Sequence, residues 1–108
     1  MVVKHVDYAT LDMLFRKLFF EECYYLNQQA NAEEFSELCN IRPERLEAHC
    51  IQMYGLEFKE LCNQQRVKKF LEKIDNPVSV NLTVGSIIKG SGFRDVEELE
   101  RSLRKYSH

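Results

Sequence analysis

Apolar side chains recur every three or four residues through most of the chain, and this spacing predicts α-helix. From about residue 7 to residue 28 neither glycine nor proline interrupts the pattern, which predicts one long amphipathic helix. Only two prolines and four glycines occur in 108 residues, so there is little room for linkers. A chain of this length is the size of one domain. The sequence therefore predicts a single all-α domain over residues 1–108.

Proline and glycine divide the next stretch into two short helices. Asn31 is expected to cap a helix over about residues 31 to 39. Pro43 is expected to open the following helix, because proline disfavours helical backbone in the residue before it and suits a first helical turn. Gly55 stands where a left-handed C-terminal cap is needed. Two short helices across a tight turn make a helix-turn-helix candidate at about residues 31–55.

A basic helix and a second helix pair follow. Helical spacing over about residues 56–74 predicts a connecting helix, which the Asp75-Asn76-Pro77 run ends. After a loop, the spacing resumes near residue 82, and Gly90-Ser91-Gly92 breaks it again. Asp95 is expected to cap the last helix. The second helix-turn-helix candidate therefore covers about residues 82–106.

Particular residues connect this order of helices, which covers residues 7 to 106, to a known family. In the second candidate, Ile87-Ile88 precedes Gly92-Phe93 and a basic, apolar last helix that contains Leu99, Arg101 and Leu103-Arg104-Lys105. The first candidate and the connecting helix contribute Phe35-Ser36, Cys39, Ile41, Leu46, Cys50, Gly55, Phe58, Leu61-Cys62 and Arg66. Together these positions resemble the DNA-binding domain of AraC-type transcription regulators. The resemblance implies two helix-turn-helix units joined by a connecting helix and preceded by a long N-terminal helix, without an effector domain.

The resemblance also implies a function and a set of residues. A protein of this type binds a specific sequence of double-stranded DNA through the major groove and regulates transcription. By position, the residues facing the bases would be Glu44, Glu47 and Ala48 in the first unit and Val96, Glu97 and Glu98 in the second. The basic residues expected to contact phosphates or bases are Arg42, Arg45, Arg94, Arg101, Arg104 and Lys105. Arg66 joins this DNA-binding set and is also expected to brace the connecting helix.

The charge pattern favours an alternative. Several glutamates at base-facing positions oppose the attraction to phosphate that supplies most nucleic-acid affinity, and the net charge of the chain is -2. The alternative is a degenerate helix-turn-helix module that binds a protein through its acidic faces or its aromatic first helix. Phe20, Tyr24 and Tyr25 widen the apolar face of that helix. This widening predicts either extra core contact or a patch that a partner covers.

Other classes of function have little support in the sequence. No run approaches the ~20 apolar residues of a membrane span, and no signal peptide is expected. Cys23, Cys39, Cys50 and Cys62 lie far apart in helical patterns, which predicts reduced core thiols in a cytoplasmic protein. A zinc site through His49 and Cys50 is disfavoured, because adjacent residues on a helix point in different directions. We expect neither enzymatic activity nor a metal or other cofactor.

Overall fold

A computed structural model of the chain describes residues 6–76 and 83–107. Over these residues every regular element is helical, which confirms the predicted all-α class there. The elements are α1 (Tyr8–Phe15), a π-helical turn (Arg16–Glu21), a 3₁₀ turn (Tyr24–Leu26), α2 (Ala32–Leu38), α3 (Pro43–Tyr54), α4 (Phe58–Asp75), α5 (Val84–Gly90) and α6 (Val96–Tyr106). In this described part, no helix combines the length and apolar character needed to cross a membrane.

The prediction of one helix from residue 7 to residue 28 is wrong in its second half. α1 begins after Asp7, whose carboxylate accepts a 2.8 Å hydrogen bond from the backbone N–H of Thr10. The helix then widens into the π-helical turn and ends before Cys23, whose φ of 55° is left-handed. The Cys23 thiol donates to the carbonyl of Phe20 at 3.4 Å, within the same turn. The left-handed backbone at Cys23 ends the helix, although the apolar spacing in the sequence continues beyond this residue.

The chain forms two compact units. Unit 1 comprises the described residues up to Tyr24 together with Gln29–Leu61, and unit 2 comprises Tyr25–Gln28 together with the described residues from Cys62 onward. α4 therefore contributes its first turn to unit 1 and its remaining length to unit 2. The prediction of one domain over residues 1–108 stays a prediction.

Unit 1 is built on an aromatic cluster. Phe15, Phe19, Phe35 and Phe58 are fully or almost fully buried. The Phe15 ring centroid lies 5.0 Å from that of Phe19 and 5.3 Å from that of Phe35, and Phe35 lies 5.1 Å from Phe58. Aromatic pairs at such separations contribute roughly 0.5–1.5 kcal/mol each beyond their buried area. This cluster ties α1, α2 and the start of α4 together inside the unit.

Two of the three aromatic residues that were predicted to widen the apolar face of the first helix pack into this core. The Phe20 ring lies 4.9 Å from Phe19 and 5.6 Å from Tyr54, and the Tyr24 ring lies 4.9 Å from Phe35. Tyr25 is buried in unit 2. The core interpretation of these three aromatic residues is therefore confirmed.

Unit 2 has an apolar core around the second half of α4. Its buried members come from α4, α5, the following turn and α6, and are Val67, Phe70, Ile87, Ile88, Phe93 and Leu99. Leu103 and Tyr106 pack against this cluster from the same face of α6 as Leu99. Leu99 and Leu103 lie on the helical face that the apolar periodicity predicted, whereas Val96, which the same spacing placed on that face, is 50% exposed.

Candidate nucleic-acid interface

A hydrogen-bonded turn closes α2 and leads directly to α3. Asn40 is left-handed, with φ of 59°. Its backbone N–H donates to the carbonyl of Glu37 at 3.0 Å, and the N–H of Ile41 donates to the carbonyl of Ser36 at 2.9 Å. These two bonds make a Schellman motif, which satisfies carbonyls that a helix end otherwise leaves unpaired. Pro43 opens α3 at the first helical position, as predicted.

The turn that closes α5 has the same hydrogen bonds. Gly92 is left-handed, with φ of 96°. Its N–H donates to the carbonyl of Lys89 at 3.0 Å, and the N–H of Phe93 donates to the carbonyl of Ile88 at 3.2 Å. Phe93 and Ile88 also pack in one buried cluster, which is the apolar contact that usually accompanies this motif.

The chain therefore contains one local arrangement twice, once in each unit. Aligned on the left-handed residue, Asn40 corresponds to Gly92, and an arginine stands two residues later in both turns. α3 begins at Pro43 and α6 at Val96, so the second turn is one residue longer. The sequence predicted both turns from glycine and proline; their shared hydrogen bonds were not visible in it.

Most of the DNA-facing residues predicted in unit 1 are exposed, on the first turns of α3 or just before them. Arg42, Glu44 and Ala48 are exposed. Arg45 is half-buried, and its guanidinium carbon lies 5.8 Å from the centroid of the Tyr8 ring, a cation–π distance. This contact orients Arg45 along α1.

Glu47, predicted to face bases, has a different contact. Its Oε1 accepts a 2.7 Å hydrogen bond from the backbone N–H of Phe58, the first residue of α4. A carboxylate at this position satisfies an otherwise unpaired donor and interacts favourably with the helix dipole. The structure therefore gives Glu47 a capping role inside unit 1.

The surface of α6 mixes both signs of charge. Asp95 caps the helix by accepting a 2.9 Å bond from the N–H of Glu98, as predicted. The Glu98 carboxylate lies 3.3 Å from Nε of Arg94, and an Arg104 nitrogen lies 3.9 Å from the carboxylate of Glu100. The remaining predicted residues of this helix are exposed, and they are Val96, Glu97, Arg101 and Lys105.

Arg66 cannot serve as a DNA contact. The residue is 6% exposed, and its three guanidinium nitrogens all donate inside unit 2. Burial lowers the pKa of its guanidinium from the usual value, which still leaves the group charged at neutral pH. Its place in the predicted DNA-binding set is therefore wrong, and the structure supports the bracing role predicted alongside it.

Positive and negative charges are balanced on α3 and α6 when the arginine before each helix is included. The counts are two basic and two acidic residues over 41–55, and four of each over 94–107. α4 carries five basic residues against three acidic ones, a net charge of +2. Any attraction between α3 or α6 and phosphate therefore depends on how individual side chains are placed.

Sequence reasoning missed a polar pair in the core of unit 1. His49 of α3 is 3% exposed, and its Nε2 lies 3.9 Å from Oδ1 of Asp12 on α1. Burial lowers the pKa of His49, a nearby Asp12 carboxylate opposes this effect, and Arg45 adds to it. A histidine three residues after the buried Leu46 was the available signal, because that spacing lies on one helical face.

Neither a metal-binding cluster among the described residues nor a similar protein identifies what this chain does. Among residues 6–76 and 83–107, no group of three or more His, Cys, Asp or Glu side chains is placed to hold a metal ion. No family model, curated protein or solved structure matched the chain.

Proposed function

We propose that the chain is a helix-turn-helix module of AraC type that binds double-stranded DNA through α3 and α6 and regulates transcription. The main support is the repeated Schellman turn, which presents a second helix after the same hydrogen-bonded closure in each unit. In helix-turn-helix proteins the second helix enters the major groove with its first turns toward the bases. α3 and α6 would have this role.

Exposed arginines at these helices supply the chemistry for DNA contact. Arg42 and Arg94 stand just before α3 and α6, and both are exposed. An arginine there can approach a phosphate oxygen with two N–H groups at once. Arg101, exposed on α6, can donate to a phosphate or to the acceptor pair of guanine.

Two experiments test this proposal: selection of bound duplexes from a random pool, and measurement of the affinity of variants for an enriched duplex. The full chain is incubated with a pool of random duplexes at low salt, bound duplexes are recovered, and the affinity for an enriched duplex is measured by fluorescence anisotropy. Arg101→Ala should weaken binding by roughly 1–3 kcal/mol, because a specific arginine–base contact is of that size. Lys17→Ala is the matched control, since it removes an exposed positive charge from the first helix.

Ion pairs on α6 and at its N-terminal end favour a second candidate, the binding of a protein partner. Arg94 is paired with Glu98 and Arg104 with Glu100, which reduces the positive charge available to phosphate. Glu97 adds an exposed negative charge in the first turn of the helix. Glu97→Gln separates the two functions. It should raise affinity for duplex DNA if α6 approaches phosphates, whereas a chain without DNA affinity will show no binding in either form.

A further inference from the structure

α1 and α3 meet in unit 1 at two titratable side chains whose facing atoms lack hydrogen bonds. Nε2 of His49 and Oδ1 of Asp12 are 3.9 Å apart, beyond hydrogen-bond distance. Both imidazole nitrogens and this carboxylate oxygen are buried and without a hydrogen-bond partner. The other carboxylate oxygen of Asp12 lies 3.0 Å from the guanidinium of Arg16, at the surface. Buried polar atoms without partners are rare in folded proteins, so each of them requires an explanation.

The surroundings of the imidazole are aromatic. The His49 ring lies 5.2 Å from the Phe15 ring and 6.3 Å from the Tyr54 ring. Burial also raises the pKa of Tyr54, so its ring is neutral throughout the physiological range. The charged groups that act on His49 are Asp12 of α1 and Arg45 of its own helix. Only Asp12 favours a protonated imidazole.

We propose that Asp12 and His49 form an acid-sensitive closure between α1 and α3, packed when His49 is neutral and opened when it takes up a proton. An imidazolium has two N–H donors, whereas a neutral imidazole has one. Among the described residues, Oδ1 of Asp12 is placed to accept one of these N–H groups, and Nδ1 of His49 has no hydrogen-bond partner, so a second N–H there would be buried and unsatisfied. That cost is removed when the ring reaches water, which requires α1 to separate from α3.

The direction of the pH effect follows from linkage. The pKa of His49 in the folded chain lies below its ordinary value of 6.5 because burial disfavours the charged ring. The unfolded or opened chain therefore binds the proton more tightly. The stability that neutral His49 provides is complete above about pH 6.5 and is lost as the pH falls below it. For each pH unit by which the pKa of His49 is lower in the folded chain than in the opened chain, acidification can raise the equilibrium constant for opening by about tenfold.

The first test measures the titration of His49 itself. The imidazole Cε1–H resonance is followed by NMR in the full chain between pH 8 and pH 4.5, and the His49→Gln variant assigns it. His49 should titrate below pH 6.5. Asp12→Asn should lower that pKa further, because it removes the one group that favours the charged ring. Glu21→Gln is the matched control, since it neutralises an exposed carboxylate just beyond α1, and should leave the value unchanged.

The second test measures the opening. Hydrogen exchange of the α1 amides, corrected for the intrinsic effect of pH, should be several-fold faster at pH 5 than at pH 7, and His49→Gln should remove this difference. A pKa at or above 6.5, an unchanged value in Asp12→Asn, or the same pH dependence without His49 would overturn the closure. If His49→Gln fails to fold, His5→Gln and His108→Gln assign the His49 resonance by elimination, and the pH dependence of α1 exchange in the wild type, compared with Asp12→Asn, decides. Neither test contains DNA, so their outcome is independent of the proposed function.

Discussion

Nε of Arg66 donates a 2.6 Å hydrogen bond to the backbone carbonyl of Tyr25, which lies 41 residues earlier in the chain. A second guanidinium nitrogen donates to the carbonyl of Asn27 at 2.9 Å, and a third to the side chain of Asn63 at 3.2 Å. Arg66 thus satisfies two carbonyls of the irregular segment 25–28 and fixes that segment against α4 inside unit 2. A buried charge of this kind is stable only while its hydrogen bonds are complete.

Arg66→Ala should lower the free energy of unfolding by about 3 kcal/mol, because it leaves buried carbonyls without donors and removes charge-assisted hydrogen bonds. Urea denaturation followed by circular dichroism measures the change. Lys68→Ala, at an exposed position of the same helix, is the control and should stay within about 0.5 kcal/mol of the parent. An Arg66→Ala variant as stable as this control would contradict the bracing role.

Gly92→Ala should be strongly destabilising. A Cβ at this position would lie 2.7 Å from the carbonyl oxygen of Tyr25 and 2.8 Å from Nε of Arg66, in a residue whose φ is already 96°. The strain of the left-handed backbone alone costs ~1–3 kcal/mol. Among the described residues, a Cβ at Gly85 in α5 would meet no atom closer than 3.9 Å, so Gly85→Ala should be neutral or slightly stabilising. Thermal unfolding of the two variants should move in opposite directions or differ by several degrees; equal melting temperatures would be inconsistent with the close packing.

Glu47→Ala should lower the free energy of unfolding by about 1 kcal/mol, the usual cost of losing a side-chain cap at a helix N-terminus. Glu47→Gln keeps an acceptor oxygen for the Phe58 N–H and should lose less. Glu44→Ala, on the exposed first turn of α3, is the matched control. Chemical denaturation compares the three, and a Glu47→Ala variant indistinguishable from Glu44→Ala would show that the cap contributes no stability.

The cysteines should differ in reactivity. Burial raises the pKa of the Cys39 thiol to about 11, so almost none of it is thiolate at pH 8. Cys50 and Cys62 are also buried, whereas Cys23 is only half-buried. A short pulse of iodoacetamide at pH 8, read by mass spectrometry, should modify Cys23 first in the folded chain and all four cysteines in urea. Rapid labelling of Cys39 in the folded chain would contradict its burial.

The local signals in the sequence predicted helix boundaries well. Asn31 and Asp95 cap α2 and α6, Pro43 opens α3, and Gly55 closes it with a φ of 74°. Each of these signals acts through hydrogen bonds or backbone angles within a few residues, so the sequence around it is sufficient. Cys23 gave no such signal, because cysteine has no preference for the left-handed backbone that ends the first helix.

The candidate site was less predictable because its contacts join distant parts of the chain. The residue type of Arg66 favours the surface, and only the carbonyls of segment 25–28 explain its burial. Glu47 was expected to face DNA, but the backbone of Phe58 lies within its reach. The pairing of Asp12 with His49 likewise depends on how α1 packs against α3. Periodicity places a residue on a helical face and does not identify the group opposite it.

The salt dependence of DNA binding tests the central claim most directly. Anisotropy of an enriched duplex should give an association constant whose logarithm falls linearly with the logarithm of salt concentration, by about 0.9 for each phosphate neutralised. If Arg42 contacts a phosphate, Arg42→Ala should reduce the magnitude of that slope by about 0.9, the contribution of one phosphate. Lys17→Ala should leave the slope unchanged. No binding to any duplex at low salt, or equal slopes for all three proteins, would contradict DNA recognition through α3.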